Sequence, residues 1–419
     1  MAHQNDQPSL RLSMLIIAAG TISTSLAQPD LLDLPIRRLL KEELGVSQSQ
    51  MAMLFGIGAL AWYVKPIAGL LVDSIALFGT HRRYYLIISA LTAGALWVFL
   101  GMVSHSYPLL LAGVIAMQCM LVIGSTVLGG LIVERGKLLM AEGRLVSCRM
   151  FVEHACDLVA GPLSGYLAGL PFGTAALVGA GIAVVAAPIT AVSDTEPIQR
   201  ESTLVGAKYV FSDIKSMLNS RTIWLVAIFS LIASIPQSFG TPLYFYQKNT
   251  LAFSDVEIGY LTAVAGFGGL LASGLYQFLC RQFPMQLLLV LGTLGTSIGI
   301  ASYLFYVSFP SALIVEFASG FLFAIGALGV MQSAAISTLG SSAAFGFAVF
   351  MSASNAGAAI GDNLAALLVE RLSMTLFDLA KIFAAASGAC CLLVFILPRS
   401  LLSHWEGKRL PVLDGEQSD

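Results

Sequence analysis

Apolar runs long enough to cross a bilayer recur along this chain, separated by short polar or Gly/Pro-containing stretches. A helix needs about 20 apolar residues to cross the hydrocarbon, and only helices or closed barrels satisfy their backbone polar groups there. About twelve such runs can be marked from hydropathy and punctuation. They fall at 11–34, 49–73, 84–104, 107–134, 143–170 and 172–193, then at 221–246, 255–281, 285–306, 309–336, 342–371 and 374–397. The chain is 57% hydrophobic and 11% charged, where soluble domains carry roughly a quarter charged residues. The expected fold class is an all-α membrane protein with twelve transmembrane helices.

The longest polar stretch divides these spans into two sets of six. The expected organisation is an N-terminal six-helix bundle at 1–193, a cytosolic linker at 194–220, a C-terminal six-helix bundle at 221–398 and a cytosolic tail at 399–419. Two six-helix halves suggest parallel repeats with a solute site between them near the mid-membrane. Gly266 to Leu275 occupies the place in the second half that Gly58 to Leu70 occupies in the first. Basic residues such as Arg82, Arg83, Arg135, Lys137, Arg144, Arg149 and Arg221 fall on the side shared by both ends, outweighing Arg37, Arg38, Lys41 and Lys248 opposite. The positive-inside rule then puts both termini in the cytosol. The polar start, Met1 to Leu10, has no cationic region with a cleavage site, so the first span is expected to act as its own signal.

Several function classes fall away. The six cysteines have no metal-ligand spacing. The glycines follow no strand and no Walker lysine accompanies them, which argues against ATP-driven transport. No nucleophile–base or metal constellation is visible, so an enzyme, a cofactor and a nucleic-acid partner are not expected.

One stretch concentrates the chemistry: Trp62-Tyr63-Val64-Lys65-Pro66-Ile67-Ala68-Gly69-Leu70-Leu71-Val72-Asp73, closed by Gly79, Arg82 and Arg83. Asp73, Gly69, Arg82 and Arg83, with Glu134 at the end of the fourth span, form a candidate gate. Asp73 at a helix end can accept backbone N–H bonds from a helix of the other half, whose positive dipole end favours an anion. Glu134 can pair with Arg82 or Arg83. The alternative is ordinary positive-inside anchoring. The corresponding later loop, Cys280-Arg281-Gln282-Phe283-Pro284, has neither the acid nor the paired arginines.

Lys65 lies about 12 Å along the helix from Asp73, at roughly 1.5 Å per residue. An intramembrane charge marks a pathway or a fixed pair. Lys65 therefore either holds a substrate carboxylate or pairs with Asp157 or Asp362. Pro66 is expected to kink its helix. In the fifth span Arg149, Glu153 and Asp157 share one helical face, pointing to substrate binding by Arg149 and Asp157 or to a self-satisfied ion-pair set. Asp30 in the first span is a candidate ligand, and Asn355 is a further candidate in the eleventh. Asp157, Glu316 and Asp362 are the candidate proton carriers. The rival account of the polar residues in the eleventh span is hydrogen-bonding between helices.

These motifs resemble known proteins. The Asp73-to-Arg83 segment is similar to the loop between helices 2 and 3 of major facilitator transporters. Four segments resemble the folate-biopterin transporter family of that superfamily: Leu39-Leu40-Lys41-Glu42-Glu43-Leu44-Gly45-Val46-Ser47, the Trp62-to-Arg83 motif, Pro242-Leu243-Tyr244-Phe245-Tyr246 through Leu251-Ala252-Phe253-Ser254 to Ile258-Gly259, and Asn355 with Gly357 and Gly361. Thr80-His81 before the arginines and Ala252 in place of the usual glycine depart from the pattern. The resemblance implies a secondary active transporter moving a folate- or pterin-like organic anion by alternating access, proton-coupled; the glutamate tail of a folate is one carboxylate that Lys65 could hold, the fixed pair with an acid being the other reading. It also implies a multi-pass protein, a monomer, in the bacterial cytoplasmic (inner) membrane. The alternatives are another solute on the same fold (siderophore, peptide, amino acid or drug) and, because pigment-delivery proteins share a related loop, a non-transport pigment–protein assembly factor.

Overall fold

The structure is a computed structural model; it describes residues 9–27, 31–46, 54, 57–58, 60–103, 106–193, 196, 212, 214–338 and 342–406. The first half comprises α1 (Leu10–Leu26), α2 (Asp33–Arg38) with a π-turn (Leu39–Glu43), α3 (Lys65–Ser74), α4 (Arg83–Met102), α5 (Tyr107–Leu139), α6 (Glu142–Ala168), α7 (Phe172–Ala183) and α8 (Ala186–Ser193). The second comprises α9 (Arg221–Ser234), α10 (Gly240–Phe245), α11 (Asp255–Gln282), α12 (Met285–Ser302), α13 (Phe309–Ser337), α14 (Ala343–Leu372), α15 (Leu376–Val394) and the short α16 (Arg399–Leu402).

Among the described residues, nine helical spans are long and apolar enough to cross a membrane, with α7–α8 and α9–α10 each joined into one. Three more complete the twelve. α1 is apolar but only 17 residues long. α6 has 27 residues but carries Glu142, Arg144, Arg149, Glu153 and Asp157. α3 continues the helical residues 60–63 after a break at Val64, where φ is −100° and ψ 20°. That break is the expected effect of Pro66, which cannot donate to the preceding turn.

Each half has its own apolar cores. In the first, Trp97 is fully buried among Leu31, Leu32, Met117 and Ala176, and its indole N–H donates to the Ala27 carbonyl at 3.1 Å. At the same end of the second half, Phe239, Tyr303, Tyr306 and Phe383 pack together. Among the helix pairs that join the halves, α6 lies along α11 and α3 along α14, with α5 also against α14. Small residues allow the first two contacts, since a Cβ on Gly69 would come 2.6 Å from Cα of Phe345, and one on Gly143 would come 2.6 Å from Cβ of Cys280. These two pairs flank the space in which the polar residues meet.

Candidate functional site: a cationic cavity and a clasped face

Lys65 and Arg149 reach one another's neighbourhood from α3 and α6, and both are almost fully buried. Lys65 Nζ donates to Ser125 Oγ at 3.0 Å and an Arg149 guanidinium nitrogen donates to the same oxygen at 2.9 Å. The Lys65 ammonium also sits 4.5 Å from the Trp62 ring centroid, a contact that helps hold a cation without an acid. Trp62 is in turn held by its indole N–H donating to Gln118 Oε1 at 3.0 Å. Neither acid expected to pair with Lys65 does so. Asp157 lies 3.7 Å from His154, its side chain 58% exposed. Asp362 accepts the backbone N–H and hydroxyl of Thr241 at 2.8 and 2.6 Å, capping α10.

The two cations line a cavity of about 600 Å³ between the halves. From the first half come Trp62, Tyr63, Lys65, Gln118, Arg149 and Glu153; from the second, Ser234, Gln237, Met331, Ser354 and Asn355. Glu153 is the carboxylate of this lining, 3.9 Å from Arg149 Nε. The wall therefore carries two positive charges and one negative, in the size range of ordinary small-molecule sites.

Of the residues expected in the binding site, Lys65, Arg149 and Asn355 meet here. Asp157 does not: one turn beyond Glu153 on the same helix, it stands beside His154 and outside the cavity lining. Asp30 lies outside the described residues. Glu316 is buried in the second half, accepting the hydroxyls of Tyr303 and Tyr306 at 3.2 and 3.0 Å, away from the cavity wall. Asp362 serves as a helix cap. None of the three expected proton carriers lines the cavity, whereas Glu153 does.

A second constellation closes one face of the molecule. Asp73, fully buried, accepts the N–H groups of Ala344 at 3.3 Å and Phe345 at 2.7 Å in the first turn of α14, across the boundary between halves. Its carboxylate also accepts Arg82 at 2.7 Å, and Arg82 donates to Glu134 at 2.6 Å. Gly69 and Asp73, four residues apart, share the face that meets α14: one admits the backbone, the other caps it. The loop is shaped by a two-residue turn, with Phe78 at φ 50° and Gly79 at φ 82°, between the paired Leu77 and Thr80. Glycine suits the second of these left-handed positions. Arg83 turns away and donates to the Ala191 carbonyl at 2.7 Å, so it braces the first half internally.

Two acids here were not singled out from the sequence. Glu196 accepts the N–H groups of His81, Arg82 and Arg83 at 2.8, 3.0 and 2.9 Å, capping α4. Glu406 does similar work at the start of α6. Lys137 donates to the Thr338 carbonyl on the same face. Among the described residues, the polar contacts between the halves gather toward this end: Asp73 on α14, Lys137 on Thr338, Glu406 on α6, and Ser147 on the Ser273 carbonyl.

Twelve helices in two halves, a polar cavity between them and an arginine–acid network at one face are the architecture of the major facilitator superfamily. A solved transporter of that superfamily, FucP in its outward conformation, superposes with TM-score 0.70 at 12% identity, covering 93% of this chain and 99% of that one. That likeness concerns the fold. The chain belongs to the BT1 family, whose profile matches residues 28–403. A folate-biopterin transporter of Synechocystis sp. is 28% identical over 279 residues, 63% of this chain and 54% of the relative. A probable folate-biopterin transporter 2 of Arabidopsis thaliana is 23% identical over 262 residues, 59% and 52% of the two chains. The matched region thus spans about half the length of these curated relatives.

Proposed function

We propose that this protein is a secondary active transporter that moves a folate- or pterin-like organic anion by alternating access, coupled to protons. The observation that carries the reading is the convergence of Lys65 and Arg149 on Ser125 in a cavity whose wall holds one carboxylate, Glu153. A buried cation without an acid partner is costly, and an incoming carboxylate relieves that cost. Arg149 offers a planar fork to such a group, while Trp62 and Tyr63 offer ring faces to a flat heterocycle. Asn355, Gln237 and Ser234 supply neutral donors and acceptors from the second half, so that a bound solute touches both halves. The relatives' names agree with such a solute.

Asp73, Gly69, Arg82 and Glu134 form the gate of the face expected to be cytosolic, with Arg83 bracing it from within the first half. Coupling runs through Glu153. Protonated, it leaves the whole charge of Arg149 to the substrate; ionised, it competes for it. Uptake into proteoliposomes tests both parts. Labelled folate should accumulate against its gradient when a proton gradient is imposed, and Glu153→Gln should keep counterflow exchange while losing that accumulation. Full proton-driven accumulation by Glu153→Gln removes Glu153 from the coupling step.

A further inference from the structure

In the first half, the acid of the closed face stands in the loop region itself: Asp73 at the end of α3 caps the first turn of α14. By the repeat of six spans, α11 and its following loop correspond to α3 and its loop, and α6 corresponds to α14. The second-half loop, Cys280-Arg281-Gln282-Phe283-Pro284, contains no carboxylate. The structure fills that place from the C-terminal segment. The Glu406 side chain is fully buried. One of its oxygens accepts the Gly143 N–H in the first turn of α6 at 3.0 Å, and the other accepts Arg144 Nε at 2.7 Å. Cys280, at the end of α11, lies directly against it.

The segment that carries Glu406 is fastened to the second half. The Met285 N–H donates to the His404 carbonyl at 2.9 Å, and the Trp405 indole N–H donates to the Arg281 carbonyl at 2.8 Å. Across the boundary, His404 Nε2 stands 3.6 Å from Glu142 Oε2. Residues 404–406 are thus anchored on one half and grip the other. The grip repeats the chemistry of Asp73: a carboxylate on the exposed N–H groups of a helix start, where the dipole favours negative charge, with an arginine as second partner. The close approach repeats as well, through Gly143 against Cys280 here and Gly69 against Phe345 there.

We propose that Glu406 is the second clasp of the closed face, a gate carboxylate supplied by the C-terminal segment, and that residues 404–406 let go of Gly143 and Arg144 when that face opens. Such a motion rests on the alternating-access reading; with conformation as the readout and no solute present, it can fail while anion transport stands. Cys280 beneath Glu406 is a native reporter. Purified protein is treated with a charged maleimide, the adduct at Cys280 is followed by peptide mass spectrometry, and the distance between spin labels at Leu138→Cys and Leu218→Cys is measured in a background otherwise free of reactive cysteines. Wild type should label slowly and give one short distance. Loss of a charge-assisted contact corresponds to roughly ten- to a hundredfold in the closed-to-open ratio. Glu406→Ala, and a chain ending at Ser403, should label at least about tenfold faster and add a longer distance to the distribution. Glu406→Gln keeps an acceptor for Gly143 and loses the charge; it should show a smaller change in the same direction, and it covers the case in which the alanine variant fails to fold. Faster labelling with an unchanged distance distribution in folded variants overturns the proposal, since Glu406 would then merely cover Cys280. Unchanged labelling and distance overturn it equally.

Discussion

Asp73→Asn probes the closed face at its most connected residue. The carboxylate accepts two backbone N–H groups of α14 and the Arg82 guanidinium, with no exposure to solvent. Hydrogen bonds to charged groups contribute about 1.5–3 kcal/mol each. One oxygen accepts Arg82 and the Ala344 N–H and the other accepts the Phe345 N–H, so an asparagine keeps at most one of these two sets and turns its amide donors toward groups that also donate. Arg82 is not orphaned by the change, because Glu134 still accepts it at 2.6 Å; the full cost of about 3–5 kcal/mol for breaking a buried pair therefore does not apply. A net loss of about 2–3 kcal/mol remains, or roughly thirty- to 140-fold in the ratio of closed to open molecules. The assay is the distance between spin labels at Leu138→Cys and Leu218→Cys, two exposed positions, one in the last turn of α5 and the other just before α9. The variant should convert one short distance into a mixture with a longer one. A distribution identical to wild type, in a protein that still melts cooperatively, would remove Asp73 from the closure of this face.

Other outcomes follow from the same geometry. Gly69→Ala places a Cβ 2.6 Å from Cα of Phe345; it should lower thermal stability by about 1–3 kcal/mol and populate the open face, and a wild-type melting curve would contradict the close approach. Lys65→Ala should fold and melt at or above the wild-type temperature, because no carboxylate lies within ion-pair distance of Lys65 among the described residues and a buried ammonium costs about 2.5–3.5 kcal/mol on insertion scales; a marked loss of stability would reveal a structural partner instead. Glu316→Gln keeps one tyrosine hydroxyl on its carbonyl oxygen and meets the other with its amide as donor, so the buried contact survives and proton-driven uptake should persist; its loss with retained counterflow would return the coupling role to Glu316.

Local pattern carried much of this molecule. Gly69 and Asp73 lie four apart beside a loop with paired arginines, and both functions of that spacing, admitting a backbone and capping it, are visible without knowing the partner helix. Lys65 was legible as a residue needing a reason to be buried, but its surroundings were not: nothing in the sequence marks that Asp157 stands exposed beside His154 or that Thr241 takes up Asp362. Ser125 and Gln118, which hold Lys65 and Trp62, are unremarkable polar residues in a glycine-rich helix. Glu196 and Glu406 were hidden for a different reason. Each lies in a polar stretch where acids are usually solvated, and nothing nearby in sequence marks the one that folds back onto a helix start. The missing acid of the 280–284 loop was the available signal for Glu406, since a half-repeat that lacks its clasp invites a search for a substitute.

Anion recognition by Lys65 and Arg149 is tested most directly by ligand binding to purified protein. Titration with folate, and with a pterin lacking any carboxylate, should show saturable binding that is tighter for the carboxylated ligand. Lys65→Ala and Arg149→Ala should each weaken folate binding by roughly ten- to a hundredfold, the value of one close charge-assisted contact, and leave the carboxylate-free ligand nearly unaffected. Equal binding of folate by wild type and by a folded double variant, or no saturable binding of any folate or pterin by the folded wild type, would contradict the account.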